Sequence, residues 1–390
     1  MFLKYMSSSD AARRYLLLGL GLGRHVDGFV DAYYGPADLR AGVAAAEPAE
    51  PPALVEEAEA LLEQTETDWL RAQLLALVTV AGRLAGRPTS WLEEVERCHG
   101  VTPALTPEAE FDRAHGLLED AVGGRRGYER WQEANTVPRE RLLEAADRLR
   151  AFLRERTRDL VGLPDGEGAE VDAVAAQPWS AYAYYRGGLR SRVSINTDLP
   201  VRSDLLARLV AHELYPGHHT ERAWKEQLLV RDRGLLEEAI VLTGTPQSLV
   251  SEGIAMLGES VLFPDGIHRA ATAVLRPLGV AYDPDAAAAV DEAELILHRV
   301  VDNMAYLLNE ERRPREEVVE YGLTWRWWER ARVEKVVDFV SDPTWSAYSA
   351  CYTHGRRLCA EFVGGERKRF RRLLTEQLTT SDLGEPAAVR

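Results

Sequence analysis

The chain has 390 residues, with 47 basic and 62 acidic side chains and a net charge of −15. A surface that acidic repels phosphate backbones and anionic lipid, which argues against nucleic acid or a membrane as partner. Hydrophobic residues make up 46% of the chain and only three are cysteines, which excludes low-complexity disorder and a disulfide-stapled miniature.

Cys98, Cys351 and Cys359 form no C-x-x-C pair, and the N-terminus shows neither an apolar signal core nor a small-residue cleavage site. The reading is a cytoplasmic protein. The first 160 residues carry apolar side chains at three- and four-residue spacing over 10–33, 52–64, 68–86, 106–122 and 137–158, predicting helix after helix. In the last, Leu142, Leu143, Ala146, Leu149 and Leu153 form one stripe. Glycines 19, 21 and 23 follow no strand and predict close helix packing, not a dinucleotide fingerprint. Asp27, Asp31, Tyr33 and Tyr34, before Gly35-Pro36, could line a cleft, although a helix end with a turn is the plainer reading.

Between 161 and 200 the pattern changes to loop glycines and alternation. Ala181–Arg186 and Arg192–Thr197 predict two short strands joined through Gly187 and Gly188. Helices resume at Ser203 and continue almost to the end. The fold class predicted is mainly α with a small central sheet. The N-terminal helical region spans 1–160 and the remainder 161–390, in one integrated fold.

Residues 205–219 carry the chemistry. Leu205, Leu206, Leu209 and Val210 predict a buried helical face that ends in His212-Glu213, with Pro216-Gly217-His218-His219 after it. Three His and a Glu at the end of an apolar helix are costly to bury without a function. A zinc ion supplies one: His offers neutral nitrogen ligands, and Glu213 can act as general base on a water that the metal activates. The familiar H-E-x-x-H spacing is broken, because Pro216 stands where the second His should be. A straight helix would leave His218 about 120° off and His219 about 10 Å along the axis. The chain must therefore bend, and Gly217 would permit a left-handed turn. His218 is favoured as second ligand, with His219 the alternative. Glu252, inside the apolar run Ser248–Glu259, supplies the third, and Glu259, two turns on, is a candidate to support it. Mn or Co could occupy a similar site. The remaining His at 25, 99, 115, 268 and 298 read as structural, and the Trp325, Trp327, Trp328 cluster as core.

The eight residues His212–His219, with Glu252-Gly253-x-Ala255, resemble the bacterial domain-of-unknown-function family numbered 885. Those proteins are regarded as mostly helical, zincin-like metallopeptidases. The resemblance extends from about 180 to 360 and departs at Ile254, where the family usually has Trp. It implies that strand Arg192–Thr197 is an edge that pairs with an extended peptide, with Asn196 among the substrate contacts. It also implies that Tyr352 steadies the oxyanion, with His354 and Arg356 behind it at the substrate.

The function expected is hydrolysis of peptide bonds by a zinc enzyme. The alternatives are a metal-dependent hydrolase of a small non-peptide amide and a non-catalytic helical binding protein. Arg186, Arg190 and Arg192 could grip a carboxylate, although solvated positions beside the strands are the plainer reading.

Overall fold

Apolar stripes at helical spacing can only be covered by one another, and here they close into three packing centres along one chain. The computed structural model describes residues 8–176, 181–198 and 200–384. In order the elements are α1 (Ser8–Leu22), β1 (Val30–Tyr33), α2 (Ala37–Ala45), α3 (Pro51–Gln64), α4 (Asp68–Leu84), α5 (Trp91–His99), α6 (Glu108–Val122), α7 (Gly124–Ala134) and α8 (Arg139–Leu160). There follow β2 (Gly168–Val174), β3 (Ala181–Gly187), β4 (Arg190–Asn196), α9 (Ser203–Glu213), α10 (His218–Lys225), β5 (Ile240–Leu242) and α11 (Pro246–Leu262). The chain ends with α12 (His268–Leu275), α13 (Pro284–Leu297), α14 (Arg299–Asn309), α15 (Arg315–Arg326), α16 (Arg330–Ser341), α17 (Ala350–Val363), α18 (Arg367–Thr375) and α19 (Thr380–Gly384). The fold is mainly α.

One core gathers α1, α3, α4 and β5 around Tyr15, Leu61 and Leu77. A second sets Phe111 and Leu118 of α6 against α13–α16. The third and largest joins α8, β4, α9, α11, α17 and α18. Residues from before position 160 enter all three, and α8 and β2 pack into the same core on either side of that position.

The helix predicted over 10–33 ends at Leu22. Gly28 then adopts φ +75°, and Val30–Tyr33 pairs antiparallel with β5. Neither β1 nor β5 shows in local periodicity, because each is defined by the other, 200 residues away. The glycines of α1 do serve close packing: a Cβ on Gly19 would stand 3.0 Å from Leu242, and one on Gly23 2.7 Å from Val30.

The central sheet has the order β2–β4–β3. β2 runs parallel to β4 from Gly168↔Arg190 to Val174↔Asn196, and β3 pairs with its other side, Tyr182 opposite Ser194. The strand expected to be an edge is therefore the central one. Its backbone donors and acceptors are engaged on both sides, and an extended peptide could add only to β2 or β3.

Backbone meets backbone where α11 crosses α17. A Cβ on Gly355 would lie 2.3 Å from the carbonyl oxygen of Leu249, and one on Gly253 2.4 Å from that of Gly355. Neither neighbour can yield without moving a helix. Gly258 similarly admits the Pro216 ring, 2.6 Å from where its Cβ would be. Gly355→Ala should therefore destabilise by about 1–3 kcal/mol. Gly116→Ala, on the exposed face of α6 with nothing within 4 Å, should stabilise by about 0.5–1 kcal/mol. Urea midpoints moving in the same direction would contradict this account of the crossing.

Candidate metal centre

Helix α9 buries Leu206, Val210 and Ala211 and ends on His212 and Glu213. The chain turns through Leu214–Gly217, with a cis peptide bond before Pro216, and resumes as α10 at His218. The Gly217 N–H donates to the carbonyl of Ala211 at 3.0 Å, and that of Thr220 to Leu214 at 3.2 Å. Each bond spans six residues instead of four, so the turn is folded under the helix end. A Cβ at 217 would lie 1.9 Å from the carbonyl oxygen of His212. The glycine is thus required by proximity. The left-handed turn expected there does not occur, since φ is −78°.

This turn returns His218 to His212, with ring centroids 4.8 Å apart at 88°. Glu252, buried on α11, places Oε2 3.4 Å from His212 Nε2 and Oε1 3.5 Å from His218 Nε2. One ligand atom from each of the three lies within 4.8 Å of the others. Glu252 Oε2 is buried without a hydrogen bond, so its nearness to His212 leaves it unsatisfied. Two imidazole nitrogens and a carboxylate with an orphaned oxygen are the donor set of a catalytic zinc site, and these residues fit that ion.

His219 faces elsewhere. Its Nε2 meets Glu167 Oε2 at 3.0 Å and its Nδ1 meets Ser191 Oγ at 2.8 Å. Tyr215 and Arg154 also bond Glu167. Of the two, His218 is the one brought to Glu252, and His219 fastens the turn to the sheet.

Neighbours orient the three ligands. His218 Nδ1 lies 3.1 Å from Ser251 Oγ, and the Ser251 hydroxyl donates to Glu221, which Lys225 pairs at 2.8 Å. With Ser251 donating to Glu221, its oxygen is the acceptor for an Nδ1–H of His218, which leaves Nε2 facing Glu252. Tyr348 donates to Glu252 Oε1 at 2.5 Å.

Burial, then His218, pushes the His212 pKa down to about 4. Burial opposes a charge on His218 too, but the Glu252 carboxylate overrides it and carries His218 up to about 9. Burial would raise Glu252, yet the two His hold it down to about 2. The pocket thus holds an ionised Glu252 against His218 and His212. Glu213 is pushed up to about 7, chiefly by burial, with His218 opposing and Glu252 adding to the rise.

Tyr352 belongs to the site. Its hydroxyl makes no hydrogen bond to a described residue, its ring lies 5.7 Å from those of Tyr348 and His298, and burial above all, then the charges of Glu252 and Glu213, pushes its pKa up. His354 is not brought in. Two positions on, it lies about 200° round the helix, its charged neighbours are Arg357 and Arg299, and its Nδ1 is buried unpaired. Arg356, one turn past Tyr352, returns to the same face. Asn196 is buried at the end of β4, where its Oδ1 accepts from the Asp198 N–H at 3.1 Å, a turn-holding contact. Glu259 pairs with Arg208 at 3.1 Å and supports α9 rather than a ligand.

Two roles escaped the sequence reading, those of Tyr348 and His298, and Asp31 was read only as a residue that could line a cleft. Tyr348 lies one turn before Tyr352 and could have been found by that spacing. His298, expected to be structural, instead stands against Tyr352, and burial and Arg326 hold its pKa at about 4. Asp31 joins Arg222 at 2.7 Å and Tyr182 at 2.6 Å, close enough to Glu213 to raise its pKa.

No family model matches the chain, and no curated protein matches it. Among solved structures it is similar to a "putative lipoprotein" from Colwellia psychrerythraea, at 16% identity and a TM-score of 0.55, over 85% of this chain and 65% of that one. A second such protein, of unknown function, from Shewanella oneidensis, gives 12% identity and a TM-score of 0.47, over 87% and 76% of the two chains. The chain spans about 65% of the first structure's length, and that likeness shows the fold alone. Among the described residues, no helix is long and apolar enough to cross a membrane.

Elemental analysis of zinc-equilibrated protein should find about one ion per chain in the wild type and in His219→Gln, and none in His218→Ala. Loss from His219→Gln with retention in His218→Ala would reverse the ligand assignment. The Glu167 pocket carries a pH prediction. Burial would raise its pKa, but His219, Tyr215 and Arg154 hold it down to about 2 from an ordinary 4.5. Its contribution is therefore complete above about 4.5 and is lost as pH falls towards 2. Glu167→Gln should melt below wild type at neutral pH, with the gap in Tm closing across that window.

Proposed function

We propose that the chain is a zinc-dependent hydrolase that cleaves amide bonds in peptides, in the manner implied by its resemblance to the zincin-like family. The observation that carries this reading is the convergence of His212, His218 and the orphaned Glu252 oxygen beside Glu213 and Tyr352. Zinc supplies Lewis acidity at such a site and lowers the pKa of water to about 7.

The protein's own groups do the rest. Glu213 takes a proton from the attacking water as its oxygen bonds the carbonyl carbon. It passes that proton to the amine nitrogen as the carbon–nitrogen bond breaks. A carboxyl tuned to about 7 suits both transfers at neutral pH. Tyr352 donates its uncommitted hydroxyl to the oxyanion. Tyr348 cannot share that role, because its hydroxyl is spent on Glu252. Ser251, Glu221 and Lys225 keep His218 aimed. Three free, buried cysteines support a cytoplasmic location.

Glu213→Gln should retain zinc and lose peptide cleavage by at least about a hundredfold. Tyr352→Phe should lower kcat by about a hundredfold with little change in KM. Both are read by mass spectrometry of a peptide library. A zinc-loaded wild type that cleaves no peptide would shift the reading to a small amide substrate or a binding protein.

A further inference from the structure

Cations gather at one end of the site. Arg356 stands one turn beyond Tyr352 on α17, about 6 Å along the axis by helix rise. It is half-buried and has no hydrogen bond or ion pair to any described residue. Arg299, next to His298 at the start of α14, is exposed and likewise unpaired among the described residues. Arg208, one turn before His212 on α9, takes the acidic partners nearby: Glu259 at 3.1 Å and Asp291 at 2.8 Å. Burial, with the charges of Arg208 and Arg299, holds Arg356 below its ordinary pKa, and Glu259 only partly offsets them. A chain with 15 more acidic than basic groups thus leaves two arginines with no hydrogen-bonded or ion-paired carboxylate among the described residues, Asp302 and Glu259 acting on Arg299 and Arg356 only at longer range. A half-desolvated guanidinium among like charges is costly unless an anion completes it, and a planar carboxylate matches its fork.

We propose that Arg356, assisted by Arg299, binds a carboxylate of the substrate within one or two residues of the reacting bond. An α-carboxylate at a peptide C-terminus, which would make the enzyme an exopeptidase, and an acidic side chain share this chemistry. The reacting bond is taken from the hydrolase reading, whereas the carboxylate cradle stands on its own geometry.

Calorimetry on chelator-treated, metal-free protein tests it, because a carboxylate cannot then be drawn to zinc. The probes are N-acetylphenylalanine, its amide, and the α-amide of N-acetylglutamate, whose carboxylate is in the side chain. N-acetylphenylalanine should bind at least tenfold more tightly than its amide. Arg356→Gln should abolish that preference and Arg356→Lys should restore part of it, with unchanged urea midpoints confirming folded variants. Weak binding of the glutamate derivative identifies the α-carboxylate as the ligand, and tight binding identifies an acidic side chain. Equal affinity for acid and amide or no binding of either, when the glutamate derivative also binds weakly or not at all, or binding of the carboxylate probes that survives Arg356→Gln, overturns the proposal. Failure of the hydrolase reading appears separately, as absent zinc or absent cleavage, and leaves these affinities unaffected.

Discussion

The site depends on a contact made chiefly through backbone, the crossing of α11 over α17 at Gly253 and Gly355. Because the helices touch through their backbones, Glu252 on one and Tyr348 and Tyr352 on the other meet within hydrogen-bond and ring-contact range. Side chains at the crossing would hold the axes apart by several ångströms, since helices packed through ordinary side chains sit 8–10 Å apart. Tyr348 could not then reach Glu252. Gly258 extends the same logic to the turn, letting the Pro216 ring rest against α11. The glycine next to Glu252 is therefore part of the machinery that presents it.

A second constraint is the fold-back between α9 and α10. It does what a continuous helix does for H-E-x-x-H, bringing two imidazoles to one point, but by tucking four residues beneath the helix end. The fastening is polar: His219, Tyr215 and Arg154 meet on Glu167 in the loop before β2. The adjacent His residues thus divide the labour, one turned to the candidate metal centre and the other to a buried carboxylate that anchors the turn.

Electrostatics is uneven along the cleft. At the centre an ionised Glu252 sits between two His, a place for a cation. One side carries Asp31, Arg222 and Tyr182 locked together. The other carries Arg356 and Arg299, neither with a hydrogen bond or ion pair among the described residues.

The sequence by itself determined the mainly helical class, most long helices to within a few residues, and the cluster of His212, Glu213, His218 and Glu252. Those are local properties: apolar spacing reports a buried face, and adjacent polar residues at its end report a cost that needs compensation. It could not decide between His218 and His219, since that depends on which ring the fold-back turns toward Glu252 and which toward Glu167. Nor could it show that Arg192–Thr197 is a central strand, because β2 joins it in parallel through a connection with no local signature. β1 and β5 were hidden for the same reason, each a strand only in the other's presence. Tyr348 and His298 enter through helix crossings that periodicity does not encode. What only the tertiary structure decided is which residues meet across distant segments, because backbone pairing and helix contact are set by partners far away in the chain.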